Sequence, residues 1–320
     1  MPIGVELLPA TDDQRRARDR VTYFAWGSGL QVEQYCEREQ VLREHPWSRS
    51  ALSTWLLCDA SGSVLSSCET YRMLSVTRLE GEPFEGHCHA VASVFTEARL
   101  SRRGHASTMM SLLLDRLKAS DRLAQAAILF SDVGASLYER SGFVATPAWD
   151  WLFPPVDDES SREAEALDDH AASEFLEKIP WPQAAFFVWP TPAQVDWGIE
   201  RERFYARRFG NHSPAYRGAH HAKGVALWTA DFKKRELLIS QLRADSSVAL
   251  AALVHAAQCT AAAESLGQVR LWESMVPKPL LADLRNGTRV PREGSLPMIC
   301  PFNPKIRAAQ WNWIPKAIWV

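Results

Sequence analysis

The first half of the chain alternates between strand-like and helix-like patterns of hydrophobic positions, which predicts an α/β fold with a mixed sheet. Runs rich in β-branched residues predict strands, and apolar residues spaced three and four apart predict helices. The predicted strands are residues 4–8, 51–59, 64–73, 90–96, 126–130 and a short one after Gly142. Four helices are predicted. The first begins after Thr11, which can cap it, and the second spans residues 31–43. The third follows Gly104, and the fourth contains Tyr138.

The second half repeats the order strand, strand, helix, strand in residues 225–228, 235–241, 247–266 and 268–272. Between the halves, residues 157–169 contain seven carboxylates and one arginine, a composition typical of a solvated boundary. A length of 320 residues exceeds the usual size of one domain. We therefore predict a first domain of residues 1–155, an acidic boundary of residues 156–170, and a second α/β domain of residues 171–320.

The junction between the strand at 90–96 and the following helix is the most informative local feature. It contains Arg102, Arg103 and then Gly104, and the helix presents Met110, Leu113, Leu114 and Leu117 on one face. Successive backbone N–H groups of residues 103–107 would point into one concavity, and Gly104 would let an anion approach the main chain. Two arginines would add charge-assisted hydrogen bonds to phosphate oxygens. The junction therefore predicts a pyrophosphate-binding turn.

Composition and charge exclude several functional classes. A formal net charge of −2 does not favour non-specific nucleic-acid binding. There is no apolar run of membrane-spanning length, and charged residues occur too early for a signal peptide, so we expect a cytoplasmic protein. The six cysteines are scattered without metal-site spacing and are expected to be reduced. His87 and His89 flank Cys88, but no further ligand lies at suitable spacing, so we interpret them as loop or strand-edge residues before the strand at 90–96 and predict no metal.

The two blocks at 101–106 and 131–143 resemble motifs of the GCN5-related N-acetyltransferases. The first resembles the family's acyl-CoA loop, Arg/Gln-x-x-Gly-x-Gly/Ala, except that Ser101 stands where Arg or Gln is usual. The second resembles a late signature in which Asn precedes a Tyr and then Gly-Phe; Tyr138 and the pair Gly142-Phe143 match, and Ser131 occupies the Asn position. The resemblance implies the family's acetyltransferase fold in the first domain.

Longer segments resemble the fungal lysine N6-acetyltransferases in particular. The likeness covers roughly residues 5–150 and includes residues 67–70, 92–96, 103–107 and 131–134; residues 224–229 and 311–313 carry a looser likeness in the second half. The second half lacks a basic glycine turn, so we expect a degenerate acetyltransferase-like copy that shapes the acceptor pocket. The resemblance implies acetyl-CoA as cosubstrate and a small-molecule amine as acceptor, with the ε-amino group of L-lysine as the first candidate.

The resemblance also implies which residues form the site. In the family, a bulged strand frees main-chain groups for the acyl and pantetheine portions, and a tyrosine contacts the leaving thiolate. By position, these are Val94, Phe95 and Thr96 for the strand and Tyr138 for the tyrosine. The other cofactor-binding residues are expected to be Arg102, Arg103, Gly104, His105, Ala106, Ser107 and Ser131.

A lysine-type amine is an ammonium at neutral pH, and its deprotonation at pH 7 costs about 4.6 kcal/mol. Glu69, on a strand expected beside residues 90–96, is the candidate base that accepts this proton. A surface glutamate at position 69 and a buried structural tyrosine at position 138 are the alternative interpretations. Arg292 could bind an acceptor carboxylate, although a solvated loop arginine is the simpler interpretation.

Two other functions stay open at this point. The tryptophan-rich second half suits an apolar acceptor, which favours acylation of a natural-product amine in secondary metabolism or self-resistance. The departures at Ser101 and Ser131 also leave this second function open. A non-catalytic module that keeps the CoA-binding fold without turnover is the third possibility.

Overall fold

Two mixed β-sheets form the framework of the protein in a computed structural model, which describes residues 4–79, 81–158, 163–284 and 286–320. In the described residues the strands are β1 (Val5–Pro9), β2 (Leu52–Asp59), β3 (Val64–Leu79), β4 (Glu82–Phe95), β5 (Ala124–Ser131), β6 (Val144–Ala145), β7 (Trp149–Phe153), β8 (Glu165–Leu167), β9 (Phe186–Trp189), β10 (Gly218–His221), β11 (Gly224–Asp231), β12 (Glu236–Ala244), β13 (Gln268–Trp272), β14 (Thr288–Pro291) and β15 (Leu296–Pro301). The α-helices are α1 (Asp12–Trp26), α2 (Val32–Glu44), α3 (Pro46–Ala51), α4 (His105–Ser120), α5 (Ser136–Glu139), α6 (Asp169–Lys178), α7 (Pro192–Phe209) and α8 (Ser247–Ala263).

The first sheet has the strand order β1-β2-β3-β4-β5-β15-β6, and β9 also pairs with β3. The second has the order β14-β7-β13-β12-β11-β10-β8. Each sheet contains one parallel pair, β4 with β5 and β12 with β13, and the helices α4 and α8 connect the strands of these pairs. This arrangement confirms the predicted mixed α/β fold and the repeated strand, strand, helix, strand order.

Local patterns predicted most helices and strands correctly. Thr11 caps α1 by accepting a hydrogen bond from the Gln14 backbone N–H at 3.3 Å, as a cap at this position requires. The predicted apolar face of α4 is buried against the first sheet. No disulfide joins any of the six cysteines.

Strands cross the predicted domain border in both directions. β7 lies before residue 155 but pairs with β13 and β14 of the second sheet. β15 lies near the end of the chain but is inserted between β5 and β6 of the first sheet. The limits 1–155, 156–170 and 171–320 stay a prediction, and residues 159–162 of the acidic boundary lie outside the described residues.

A cavity of about 1460 Å³ lies where the two sheets face each other. Its walls include the end of β4, the start of α4, α2, α7, β12 and the turn at Lys316–Ile318. Both halves of the chain therefore contribute to one open cavity, whose size is sufficient for an extended ligand and a small acceptor.

Candidate active site

The cavity begins at an irregularity in the pairing of β3 with β4. Between the pairs Ser67–Phe95 and Glu69–Ala92, β3 has one residue whereas β4 has two. The two β4 residues in this interval, Ser93 and Val94, therefore have no partner in the ladder with β3. The bulge consists of Ser93 and Val94, so only Val94 of the three predicted strand residues lies in it. Phe95 pairs with Ser67, and Thr96 lies beyond the end of β4.

The parallel pairing of β4 with β5 ends just before this bulge. Val91 and Leu129 form the last pair, and beyond them β4 continues to Phe95 and β5 to Ser131 without pairing with each other. The edges of the two strands are therefore open over the same stretch as the bulge. Open edges of this kind offer N–H and C=O groups to an extended ligand that lies between the strands.

Ser93 couples the bulge to the candidate base. Its backbone has a φ of 52°, a left-handed conformation that is uncommon for a residue with a side chain. Its hydroxyl donates a hydrogen bond to Oε2 of Glu69 at 2.8 Å. The strained turn of β4 thus holds the carboxylate beside the main-chain groups that the bulge exposes.

Glu69 is half-buried and lines the cavity, which does not fit the alternative of a fully solvated surface glutamate. Burial raises the pKa of its carboxyl to about 7, the charge of Glu39 adds to this, and the hydrogen bond from Ser93 opposes it. Glu69 lines the cavity together with Glu39 and Tyr71. A carboxyl group with a pKa near neutrality is suited to accept and release a proton at physiological pH.

The start of α4 has the features of an anion site. Gly104 precedes the helix with a φ of 83°, and no side chain caps the first turn, which contains His105, Ala106 and Ser107. A Cβ built on Gly104 would meet no atom within 4 Å, so the space in front of the helix is open. The uncapped N–H groups and the positive end of the helix dipole favour a negatively charged group here.

The two predicted arginines flank this helix start on the surface. Arg102 has a φ of 60°, and neither Arg102 nor Arg103 forms an ion pair with a described residue. Ser101, which replaces the usual Arg or Gln, instead donates its hydroxyl hydrogen to the carbonyl of Ala98 at 2.6 Å. The positive charge of the turn is therefore available to a ligand.

Tyr138 and Ser131 lie on opposite sides of the turn after β5. The Tyr138 side chain is buried and lines the cavity, and burial raises the pKa of its phenol to about 12. A phenol with this pKa holds its proton at neutral pH and acts as a hydrogen-bond donor. The Ser131 hydroxyl donates to the carbonyl of Gly134 at 2.6 Å and accepts from Val133 N at 3.2 Å, so its one proton is used within its own turn.

Phe95 and Thr96 are held by hydrogen bonds with Ser66. The Ser66 hydroxyl lies 2.9 Å from both the Phe95 carbonyl and the Thr96 hydroxyl. The Phe95 ring packs edge-on against Trp26, with centroids 5.8 Å apart. Val94 and Thr96 line the cavity. Of the predicted site residues, five line the cavity: Glu69, Val94, Thr96, Ala106 and Tyr138. Phe95, Ser131 and the residues 102–105 and 107 are not part of its lining, and their roles stay predictions.

Arg292 is not the solvated loop residue that the sequence favoured. Its side chain is 4% exposed, its Nε donates to Asp150 at 2.8 Å, and its guanidinium lies 3.6 Å from the centroid of the Trp272 ring. The terminal nitrogens of Arg292 are enclosed and have no hydrogen-bond partner in the described part of the chain. Pairing with Asp150, 142 residues away, is what places it inside.

Sequence reasoning missed several polar residues that the fold brings to the site. Ser93 was not identified because its role depends on the bulge. Arg201 and Lys316 line the cavity from the second half of the chain, and no local motif marks either one. His87 and His89 lie within β4 rather than in a loop or at a strand edge before it, because the strand begins at Glu82. The Asp121 carboxylate lies 2.8 Å from the His87 ring and 3.0 Å from the His89 ring.

The described residues contain no group of three or more potential metal ligands suited to hold an ion. No helix within the described ranges is long and apolar enough to cross a membrane.

Comparisons with known proteins agree with this geometry. A family model described as the LYC1 GNAT-like C-terminal domain matches residues 152–320, the part in which the sequence resemblance was looser. A protein of Yarrowia lipolytica named lysine acetyltransferase is 22% identical over 324 residues, covering 82% of this chain and 82% of the relative.

Solved structures are similar to this fold at low sequence identity. A probable N-acyltransferase of Enterococcus faecalis V583 has a TM-score of 0.61 at 12% identity, over 92% of this chain and 71% of that one. A GCN5-related N-acetyltransferase of Anabaena variabilis has a TM-score of 0.57 at 12% identity, over 92% and 72% of the two chains. These similarities support the fold of both halves.

Proposed function

Because this chain belongs to the family with the LYC1 GNAT-like C-terminal domain and is an N-acetyltransferase of the GCN5-related type, we propose that it transfers the acetyl group of acetyl-CoA to the ε-amino group of L-lysine. The observation that carries this proposal is the hydrogen bond from Ser93 to Glu69, which joins the bulge of β4 to a carboxylate of raised pKa inside the cavity. A named lysine acetyltransferase among the relatives supports lysine as the first acceptor to test.

The residues around the opening fit acetyl-CoA. The diphosphate would lie at the uncapped start of α4, against Gly104 and the two arginines of the turn. The pantetheine amides would pair with the open edges of β4 and β5 beyond Val91 and Leu129. Acetyl-CoA supplies an activated acyl group whose sulfur is the leaving group.

Glu69 has the task of accepting the proton of the acceptor ammonium. A carboxyl of ordinary pKa would be a weak base toward a group of pKa about 10.4. Raising the pKa of Glu69 from 4.5 to about 7 reduces the free-energy cost of that transfer by about 3 kcal/mol. The carboxylate must be ionised to act, so the rate should fall as the pH falls through about 7.

Main-chain groups of the bulge and Tyr138 stabilise the charges that develop in the reaction. Attack by the neutral amine forms the C–N bond and places negative charge on the carbonyl oxygen, which N–H groups near Val94 would stabilise. Cleavage of the C–S bond then leaves a thiolate, and the second proton lost by the attacking nitrogen passes to this sulfur or to solvent. Tyr138 would donate a hydrogen bond to this sulfur, and its high pKa limits it to a stabilising role rather than full proton transfer.

A natural-product amine is the second candidate acceptor. Trp26, Trp197, Trp272 and Trp319 all line the cavity, and such aromatic walls suit a more apolar acceptor than lysine. A cytoplasmic role in amino-acid metabolism goes with the lysine proposal, whereas secondary metabolism or self-resistance goes with this one.

A thiol-release assay with acetyl-CoA and a panel of amines tests the proposal. L-Lysine should give the highest kcat/KM, and mass spectrometry with fragmentation should locate the acetyl group on the ε-nitrogen. Acetylation of the α-nitrogen, or a strong preference for an apolar amine, would contradict lysine as the acceptor while leaving the acetyltransferase assignment intact.

A further inference from the structure

Two cationic side chains line the cavity without an acidic partner. Arg201 projects from α7 and Lys316 from the turn at Lys316–Ile318, and neither side chain forms a hydrogen bond or ion pair with any residue in the described ranges. The other arginines that line the cavity are paired: Arg38 with Glu39, Arg43 with Asp19, Arg270 with Asp150 and Glu236, and Arg292 with Asp150. Lys233 and Lys234 also line the cavity without an ion pair to any described residue, but both are exposed, whereas Arg201 and Lys316 are half-buried.

Aromatic rings hold both cations in place but do not neutralise them. Lys316 Nζ lies 3.5 Å from the centroid of the Trp319 ring and 5.3 Å from that of Trp272. The Arg201 guanidinium lies 4.5 Å from the centroid of the same Trp319 ring. A cation over a ring gains some electrostatic stabilisation, but its N–H donors still lack acceptors. These donors are available to a ligand in the cavity.

The electrostatic environment of the two side chains is unfavourable in the absence of an anion. Burial lowers the pKa of Lys316 well below its usual value, and the charges of Arg201 and Arg292 lower it further. Burial likewise lowers the pKa of Arg201, and the charge of Arg38 adds to the effect. Asp231 opposes both shifts from a distance, but its Oδ1 accepts from the backbone N–H groups of Lys233 and Lys234. A bound carboxylate would offset this repulsion.

The cation pair lies in the acceptor half of the cavity. Tyr71 lies two residues after Glu69 on β3, so both side chains are on the same face of the sheet. Burial raises the pKa of the Tyr71 phenol, and among the charges that oppose this is Arg201, which places Arg201 within range of the same wall. The Tyr71 ring also packs against Trp197, with centroids 5.8 Å apart, and Trp197 lies one helical turn before Arg201 on α7. Tyr71 therefore lies between Glu69 and Arg201 in the wall of one cavity.

We propose that Arg201 and Lys316 form an anion subsite that binds the carboxylate of an amino-acid acceptor whose side-chain amine reaches Glu69. This inference rests on the proposed N-acetyl transfer at Glu69. Arg201 offers a planar pair of N–H donors that fits a carboxylate, and Lys316 adds a point charge. The subsite selects acceptors with a carboxylate and a distant amine. It disfavours diamines, because their second ammonium would face two cations without a carboxylate beside it.

Comparison of L-lysine with cadaverine, the diamine that lacks only the carboxylate, tests the subsite. The wild-type protein should favour L-lysine in kcat/KM, and Arg201→Met or Lys316→Met should lower the ratio of lysine to cadaverine by about 10- to 100-fold, mainly through KM for lysine. L-Norleucine, which keeps the carboxylate but has no ε-amine, should compete with lysine in the wild type and lose inhibition in both variants.

Arg207→Met is the matched control, because Arg207 lies on the same helix but is exposed and paired with Glu200. It should leave the lysine-to-cadaverine ratio and norleucine inhibition unchanged. Thermal unfolding of each variant separates loss of the subsite from loss of the fold.

Several outcomes would overturn the subsite. If the wild type acetylates lysine and cadaverine equally, the acetyltransferase proposal stands but the anion subsite does not exist. If the variants raise KM for acetyl-CoA instead of lysine, the two cations serve the cosubstrate. If no amine is acetylated, the proposed function fails, and calorimetric binding of L-norleucine to the wild type and the variants decides the subsite on its own.

Discussion

The two strand–helix–strand units of this protein, β4-α4-β5 and β12-α8-β13, share a backbone plan but differ in chemistry. In the first, the bulge of β4 follows the last parallel pair, at Val91. In the second, β12 has an irregularity at Ser240, directly after its own last parallel pair at Ile239. The plan of bulged strand, helix and diverging parallel strand is therefore present twice.

The start of the helix is where the two units differ most. α4 begins after Gly104 with no side-chain cap. α8 begins after Ser246, whose hydroxyl accepts from Ala249 N at 3.2 Å, so the second helix satisfies part of its own N-terminus. Gly104 is preceded by two unpaired arginines, whereas Arg243 before α8 is paired with Asp245.

The strand beside each bulge also differs: β3 carries a polar residue next to the first bulge, and β11 carries apolar residues next to the second. Beside the bulge of β4 lies Glu69, whereas the two β11 residues that flank the irregularity of β12 are Leu227 and Trp228, both buried. The Trp228 indole donates to the carbonyl of Tyr216 at 2.9 Å and forms part of the core. The turn at Lys316–Ile318 also packs against β12. The comparison shows that this fold creates a potential cleft, and that only particular side chains convert it into a site.

The largest effect is expected from removal of the Glu69 carboxylate, which lies beside the first unit and has no counterpart beside the second. Glu69→Gln should lower kcat/KM for lysine by about 100-fold at pH 8 and abolish the rise in rate through pH 7. The wild-type limb arises because Glu69 is protonated, and inactive as a base, below about pH 7. Rates measured between pH 6 and pH 10 give both profiles.

Glu85→Gln, at an exposed position of β4, is the control and should keep the wild-type pH profile. The raised pKa means that folded Glu69 binds a proton more tightly than the unfolded chain does, so its ionised form destabilises the fold above pH 7. Glu69→Gln should therefore melt no lower than the wild type at pH 8.5. An identical pH limb in Glu69→Gln would remove this residue from the mechanism.

The charge difference between the two helix starts gives the next largest effect. Arg102→Gln combined with Arg103→Gln should weaken acetyl-CoA binding by about 10- to 30-fold, since two charge-assisted contacts to phosphate are lost. Calorimetry measures this directly, and the effect should shrink at high salt because both side chains are exposed.

Arg243→Gln, before α8, makes the corresponding change in the second unit and should not alter acetyl-CoA affinity. Equal weakening by the substitutions at both helix starts would mean that the second unit also binds the cosubstrate.

Tyr138→Phe should reduce kcat by about 10-fold with little change in KM, since one hydrogen bond to the leaving sulfur is removed. Turnover with acyl donors of lower thiol pKa should restore the rate, because a better leaving group needs less stabilisation. An unchanged kcat with acetyl-CoA would indicate that Tyr138 is structural only.

The smallest effect concerns the self-capped helix. Ser246→Ala should lower the free energy of unfolding by about 1 kcal/mol through loss of the cap. CoA should still raise the melting temperature of this variant as much as that of the wild type, because α8 does not contact the cosubstrate in our proposal. A reduced CoA-dependent shift would connect α8 to the cosubstrate site.

Individual elements show how far the sequence could be interpreted. The cap at Thr11, the apolar face of α4 and the glycine turn before α4 depend on neighbours within one or two turns, and each was predicted from such neighbours. Strand β4 was predicted only from residue 90, because the stretch before it contains Pro83 and Gly86, yet pairing with β3 extends it back to Glu82.

The amino-acid sequence alone determined the periodic elements and the glycine-containing basic turn before α4, because local steric and hydrogen-bonding preferences encode these features. Glu69 and Tyr138 were named from a family resemblance, and their roles in catalysis stay predictions. Tertiary structure alone decided the insertion of β15 into the first sheet, the burial of Arg292 against Asp150, and the meeting of Arg201 with Lys316 over one tryptophan ring. These pairings join residues more than a hundred positions apart, and the free energy that selects them comes from burial and strand pairing of the whole chain rather than from any local pattern.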